Sequence, residues 1–138
     1  MTLETSLRRE LSSVRTVAGA AYDRFRVAIY ALAIAKMQVP SNVKDHLRII
    51  ARDTDEFWND YIEEAWSLCQ QIKRTHDEDH EDGLRDALDG EMDDAIGDVW
   101  SSIVDYCDGE LGLKVRAPNI SAVTYADKAK VLILAGFR

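Results

Sequence analysis

Residues 83–108 have the sequence GLRDALDGEMDDAIGDVWSSIVDYCD. Apolar residues recur in this stretch every three or four positions, which is the spacing that places side chains on one face of an α-helix. The members of this stripe are Leu84, Leu88, Met92, Ala95, Val99, Ile103 and Tyr106. Gly109 follows as a residue suited to end the helix. The pattern predicts a long amphipathic helix that turns its apolar face toward a core.

The sequence before this stretch has the same helical periodicity. It predicts three earlier helices, over residues 4–37, 42–51 and 54–74. Pro40 ends the first of these, because proline cannot continue a helix and restricts the residue before it. Residues 76–82 predict a polar, acidic linker that leads into the helix over 83–108, which is the fourth.

The C-terminal residues 124–137 are ambiguous. Their continuous apolar run fits a short helix or a buried strand, because such a run does not distinguish the two. We favour the helix, over residues 126–134.

Length and composition bound the fold class. A chain of 138 residues is the size of one domain, so we expect a single helical domain over 1–138. Its 46% hydrophobic content is that of a globular protein, and 7 Gly with 2 Pro are few for a sandwich of many short strands. We predict an all-α, single-domain bundle of four to five helices, with a long N-terminal helix and an acidic fourth helix.

The N-terminal residues show no signal peptide, since they lack a basic stretch followed by an apolar one. The run from Val27 to Ala35 is shorter than the roughly 20 apolar residues that span a bilayer. Cys69 and Cys107 are too few for a disulfide framework. We therefore expect a cytoplasmic protein without membrane contact, in the host cytoplasm if the chain is viral.

The negative charge is concentrated in one third of the chain. Residues 77–110 hold 14 of the 25 acidic residues and one basic residue, Arg85. Carboxylates at this density repel one another, which opposes folding, and they attract basic partners. Direct nucleic-acid binding is not expected, because it requires clustered Lys and Arg. A solvated acidic face with no partner is the alternative interpretation.

Four aspartates follow one side of the predicted fourth helix, namely Asp82, Asp86, Asp89 and Asp93. Residues four apart rise about 6 Å along a helix axis, which is close to the separation of neighbouring phosphates on a DNA strand. A rigid helix can therefore present carboxylates in place of phosphates to a basic groove. Asp94 and Trp100 complete the predicted partner-binding set, with Trp100 as an aromatic anchor at the edge of the apolar stripe.

Four short segments of this region resemble a known family. They are LRDAL at 84–88, DDAI at 93–96, SSI at 101–103 and ELGL at 110–113. Together they resemble the central part of the phage Ocr-type antirestriction proteins. The resemblance implies an acidic helical DNA mimic, usually dimeric, that occupies the DNA-binding groove of type I restriction enzymes. Gly97 and Val99-Trp100 stand where that family tends to have a proline and tyrosines.

A second constellation suggests a metal-dependent enzyme. Its candidate ligands are Glu63, Glu64, Glu91, Asp94 and Asp98. Two antiparallel helices could aim such carboxylates at Mg²⁺, which prefers oxygen ligands. The stretch from Asp94 to Val99, with Glu63-Glu64 upstream, is similar to the all-α MazG-type nucleotide pyrophosphohydrolases. Ser67 and Ala95 stand where that family has glutamates.

The leading hypothesis is a small acidic binding protein with no catalytic residue and no cofactor, and the resemblance implies that it is phage-encoded. Its partner would be the basic surface of a host DNA-binding defence complex, a restriction enzyme or a CRISPR effector, and the chain could form a homodimer. The Mg²⁺-dependent pyrophosphohydrolase is the alternative. A phage head–tail connector or adaptor is a third hypothesis, because residues 42–49 (NVKDHLRI), the acidic turn after them and the next predicted helix, rich in Ala and aromatics, are together similar to those proteins.

Overall fold

The computed structural model describes residues 2–12, 20–54 and 57–137. Over these residues the chain is all-helical, as predicted, but with six α-helices where four or five were expected. They are α1 (Leu3–Leu11), α2 (Ala20–Lys36), α3 (Ser41–Asp53), α4 (Asp60–Arg74), α5 (Glu78–Glu110) and α6 (Tyr125–Leu134), with a 3₁₀ turn at Ile120–Ala122.

The long N-terminal helix predicted over residues 4–37 is not shown. That range contains α1 and α2, and these two helices pack against each other. In one continuous helix, residues 11 and 20 would lie about 13 Å apart along the axis, so the two parts could not touch. Val14 and Ala18, two of the regularly spaced apolar residues on which the helix over 4–37 was predicted, lie outside the described residues.

The core is built around α2. Every residue from Phe25 to Ile34 is buried, on all sides of the helix. The other five helices all contact α2 or pack on a helix that does, with α4 and α5 forming the most extensive pair. A helix that is apolar all round is stable only inside the protein, so α2 is the central element of the bundle.

Two arginines of α2 attach the ends of other helices to it. The last carbonyls of a helix have no partner inside that helix and must find donors elsewhere. Arg24 donates to the carbonyls of Leu11 and Leu134, at 3.2 and 3.0 Å, where α1 and α6 end. Arg26, which is buried, donates to the carbonyl of Ala51 near the end of α3 at 2.8 Å.

The C-terminal end of α2 receives donors in turn. The indole Nε1 of Trp100 donates to the carbonyl of Ala33 at 2.9 Å, and Lys44 Nζ donates to that of Ala35 at 3.2 Å. Trp100 is only 2% exposed. The prediction that Trp100 anchors a partner at the surface is therefore wrong, because its side chain lies in the core and caps α2.

The helix predicted over 54–74 begins later, at Asp60. Asn59 is its N-cap, because the Asn59 side chain accepts a hydrogen bond from the backbone N–H of Ile62. Phe57, which precedes it, is buried against Tyr30 and Tyr106. Asp55 and Glu56, which fall at the start of the predicted range, lie outside the described residues.

The predicted linker over 76–82 is mostly helix. The carboxylate of Asp77 accepts from the backbone N–H groups of Asp79 and His80, at 3.0 and 3.4 Å, and so caps α5. Residues 78–82 form the first turns of α5, where the positive end of the helix dipole favours acids. The acidic segment is therefore part of one rigid helix.

The ambiguous C-terminal segment is helical, as favoured. Thr124 and Asp127 form a capping box at the start of α6, with reciprocal hydrogen bonds of 3.1 and 3.0 Å. Asp127 also pairs with Lys36 at 2.9 Å, which joins α6 to the end of α2. None of the helices in the described ranges combines the length and apolarity needed to cross a membrane.

The Trp100–Ala33 hydrogen bond gives a test of this packing. Replacing Trp100 with Phe removes the donor and leaves a buried carbonyl without it, so we expect the free energy of unfolding to fall by about 1–3 kcal/mol. The measurement is urea denaturation followed by circular dichroism. Trp58→Phe is the matched control, because Trp58 is 37% exposed. Equal stability of the two variants would contradict the assignment of Trp100 to the core.

Candidate acidic interaction surface

The helix α5 is a continuous scaffold for negative charge. Its 33 residues span about 50 Å and include 13 acidic residues, with Arg85 as the only basic one. Its buried side is formed by Leu84, Leu88, Met92, Ala95, Ile96, Val99, Trp100, Ile103 and Cys107. Because these side chains face the core, the acids are restricted to the borders and the outward face of the helix.

Helical periodicity separates the acids into two rows. The first acidic row consists of Asp82, Asp86, Asp89 and Asp93, and the second of Glu91, Asp94, Asp98 and Asp105. Small residues occupy the outward face between the rows, namely Gly83, Ala87, Gly90, Gly97 and Ser101. Two lines of carboxylates thus run along one helix with a shallow strip between them.

The first acidic row is partly neutralised by α6. Lys128 Nζ lies 2.7 Å from Asp89 and 2.9 Å from Asp93, and Lys128 is 7% exposed. Burial alone would lower the pKa of Lys128, but its hydrogen bonds and attraction to the two carboxylates raise it. Asp89 and Asp93, predicted as partner-binding residues, therefore hold α6 against α5. Asp82 and Asp86 remain exposed and carry no ion pair in the part of the chain that the structure describes.

The second acidic row faces acids of α4. Burial raises the pKa of Glu91, and the charges of Asp94 and of Glu64 on α4 raise it further. Burial also raises the pKa of Asp98, with added repulsion from Asp94 and Asp60. Among the described residues, Glu91 Oε2 is buried without a hydrogen-bond partner. The row is a set of crowded carboxylates that a cation would stabilise.

The residues of the predicted metal site are brought together in part. Glu64, Glu91, Asp94 and Asp98 lie along the α4–α5 contact, and Asp60 joins them. Glu63 differs, because its charge acts on the buried hydroxyl of Tyr22 of α2, whose pKa is raised by burial and then by Glu63.

The carboxylates do not converge on one point. Within the described residues, no three His, Cys, Asp or Glu side chains stand as metal ligands would. Glu91 and Asp98 are seven residues apart, or about 10 Å along α5. The acids of α5 in this set therefore form an extended row along the helix.

Comparison of the chain with protein-family models, with curated proteins and with solved structures finds no match.

The repulsion at Glu91 predicts a pH-dependent stability. Because the pKa of Glu91 is higher in the folded protein than in the unfolded chain, ionised Glu91 destabilises the fold. This penalty is lost as Glu91 becomes protonated, when the pH falls toward 4.5, the ordinary pKa of a glutamate. Glu91→Gln removes a like-charge pair with Asp94 that costs about 0.2–0.5 kcal/mol. We expect the melting temperature to rise by about 1–3 °C at neutral pH.

The gain should shrink as the pH is lowered to the ordinary value of 4.5, and calorimetry across this range measures it. Glu63→Gln is the matched control, because Glu63 is exposed and is not among the charges that act on Glu91. A gain in Glu91→Gln that stayed constant with pH would show that the repulsion at Glu91 is not its cause.

Proposed function

We propose that this protein is a small acidic inhibitor that blocks a DNA-binding defence complex of a host, a restriction enzyme or a CRISPR effector, by presenting carboxylates in place of DNA phosphates. The observation that supports it most is the continuity of the acidic surface. The acidic segment from Glu78 onward is part of one helix about 50 Å long, so its charges are held in a fixed array.

The arrangement of charge supports a cationic partner. Burial raises the pKa values of Glu91 and Asp98, and the charge of Asp94 raises both further, so these ionised carboxylates destabilise the isolated protein. A groove lined with Lys and Arg would remove that penalty on binding and would be drawn to the surface over a long range. The partner's DNA-binding groove is such a surface, because it must neutralise phosphates.

The contacts also define which acids can take part. Asp82 and Asp86 of the first row are exposed, as is Asp94 of the second. Glu91 and Asp98 are half-buried beside Asp94 and add to its field. Asp89 and Asp93 are paired with Lys128 and contribute less. A phage source and a homodimer belong to this proposal through the resemblance to the Ocr-type proteins.

A competition experiment tests the proposal. Immobilised protein is incubated with a purified type I restriction enzyme and, in parallel, with CRISPR effectors, and bound complex is then challenged with duplex DNA. We expect DNA to displace the partner and the affinity to fall steeply with salt, because both are consequences of phosphate mimicry. The combined variant Asp82→Asn, Asp86→Asn and Asp94→Asn should weaken binding by about tenfold or more.

The matched control changes the net charge equally at exposed acids elsewhere, in Glu4→Gln, Asp23→Asn and Asp53→Asn. It should bind as the unchanged protein does. Binding that resists salt and is not displaced by DNA would contradict mimicry and indicate a connector or adaptor role. Failure to bind any DNA-binding complex would also end the proposal.

A Mg²⁺-dependent nucleotide pyrophosphohydrolase is the second candidate, favoured by one observation. Glu64 of α4 lies close enough to Glu91 of α5 to raise its pKa, so the two helices bring carboxylates together. Glu64, Glu91 and Asp94 would hold the ion, which would polarise a phosphate and activate water when bound. Ser67 and Ala95 remove two of the glutamates that the resemblance implies.

Turnover decides between the two candidates. The protein is incubated with Mg²⁺ and each nucleoside triphosphate, and released pyrophosphate is measured. We expect no release, since the carboxylates do not converge as metal ligands in the described part of the chain. Release that is lost in Glu91→Gln and retained in Asp82→Asn would replace inhibition by catalysis as the proposed function.

A further inference from the structure

A basic pocket lies among α1, α2 and α3, on elements that carry none of the acidic rows. Its volume is about 540 Å³, within the range of small-molecule sites. Its charged lining residues are Arg9, Lys36, Lys44, Arg48 and Asp45, four cations and one carboxylate. Ser6 and Ser41 add polar groups to the lining. The lining itself thus has a charge of +3 in a protein whose net charge is −8.

Lys44 is the least neutralised of these cations. Its ammonium donates to the carbonyl of Ala35 at 3.2 Å and has no ion pair with a carboxylate among the described residues. Burial lowers its pKa, and the charge of Arg48 lowers it further. An anion that enters the pocket would therefore stabilise the charged ammonium of Lys44.

The two arginines have fewer carboxylates than they could engage. Arg9 and Arg48 both approach Glu10, at 3.6 and 3.9 Å, and Arg48 also pairs with Asp45 at 3.0 Å. The side chain of Arg48 is 13% exposed, and its Nε is buried with no hydrogen-bond partner in the described residues. A guanidinium has five N–H donors that suit the oxygens of phosphate.

The start of α3 adds to this positive field. The helix begins after Pro40 without a side-chain cap, and its first turn contains no acidic residue. The partial positive charge of a helix N-terminus is then not offset locally. Ser41, the first residue of α3, lines the same pocket as the four cations.

We propose that this basic pocket binds the phosphate group of a polar phosphorylated small molecule, with Lys44, Arg48 and Arg9 as its ligands. Charge-assisted hydrogen bonds from Arg and Lys are the strongest that a phosphate receives from side chains. The volume exceeds that of a phosphate group and leaves room for a polar remainder near Ser6 and Ser41. Lys36 contributes charge but is paired with Asp127 at 2.9 Å.

Titration calorimetry at constant ionic strength tests the proposal. The probes are inorganic phosphate, a hexose phosphate and the same hexose without phosphate, against chloride as the background anion. We expect saturable binding of both phosphates and none of the hexose. Tighter binding of the hexose phosphate identifies an organic phosphate as the ligand class, and equal binding identifies the phosphate ion alone.

Lys44→Gln and Arg9→Gln should each weaken phosphate binding by about tenfold or more, because each removes a charge-assisted hydrogen bond. Lys130→Gln is the matched control, because Lys130 is exposed on α6 outside the pocket. Arg9 is 46% exposed, so its replacement tests the pocket even if Lys44→Gln disturbs α2.

The proposal of a phosphate site would be overturned if phosphate did not bind, or if it bound equally well to Lys44→Gln and Arg9→Gln. The variant Asp82→Asn, Asp86→Asn and Asp94→Asn should bind phosphate normally, so the pocket and the proposed inhibition can fail separately.

Discussion

The burial of α2 on all sides is the constraint on which the rest of the structure depends. The ten residues from Phe25 to Ile34 are all buried, so other helices must surround this segment. The helices α1 and α2 accordingly pack against each other, and α1, α3 and α6 end where Arg24 and Arg26 can reach their last carbonyls. Apolar burial and helix-end hydrogen bonds thus act on the same element.

The burial of α2 also determines which way the acidic side chains of α5 face. The indole of Trp100 donates to the end of α2, and the buried stripe of α5 packs on α2 and α4. The acids of α5 must then face outward, although they repel one another. Lys128 offsets part of the repulsion on the α6 side, while the second acidic row has no such cation in the described ranges. The core thus tolerates a concentrated charge that helix propensity alone would not stabilise.

The sequence predicted what is local and missed what is not. The apolar stripe of α5 was found because its spacing repeats within the helix, and Leu84, Leu88 and Ile103 are buried as expected. The division of residues 4–37 into α1 and α2 was missed because apolar periodicity continues through this range of the sequence and carries no information on where a helix ends. Residues 78–82 were assigned to a linker from their polarity, although Asp77 is a good cap and acids suit a first turn.

The same limit applies to the charged sites. The sequence located the acids of both rows, but Lys128 is 35 residues from Asp93, so their pairing is visible only in the fold. The basic pocket was missed entirely, because Arg9, Lys36 and Lys44 belong to three helices and no motif joins them.

The separation of the basic pocket from the acidic rows has a consequence for self-association. The cations of the pocket lie in a depression and are partly paired with carboxylates, whereas the acidic rows lie on the outward side of α5, which is about 50 Å long. A small anion can enter the pocket, whereas a second copy of α5 could place only part of its length there. The two charged regions can therefore serve different ligands in one protein.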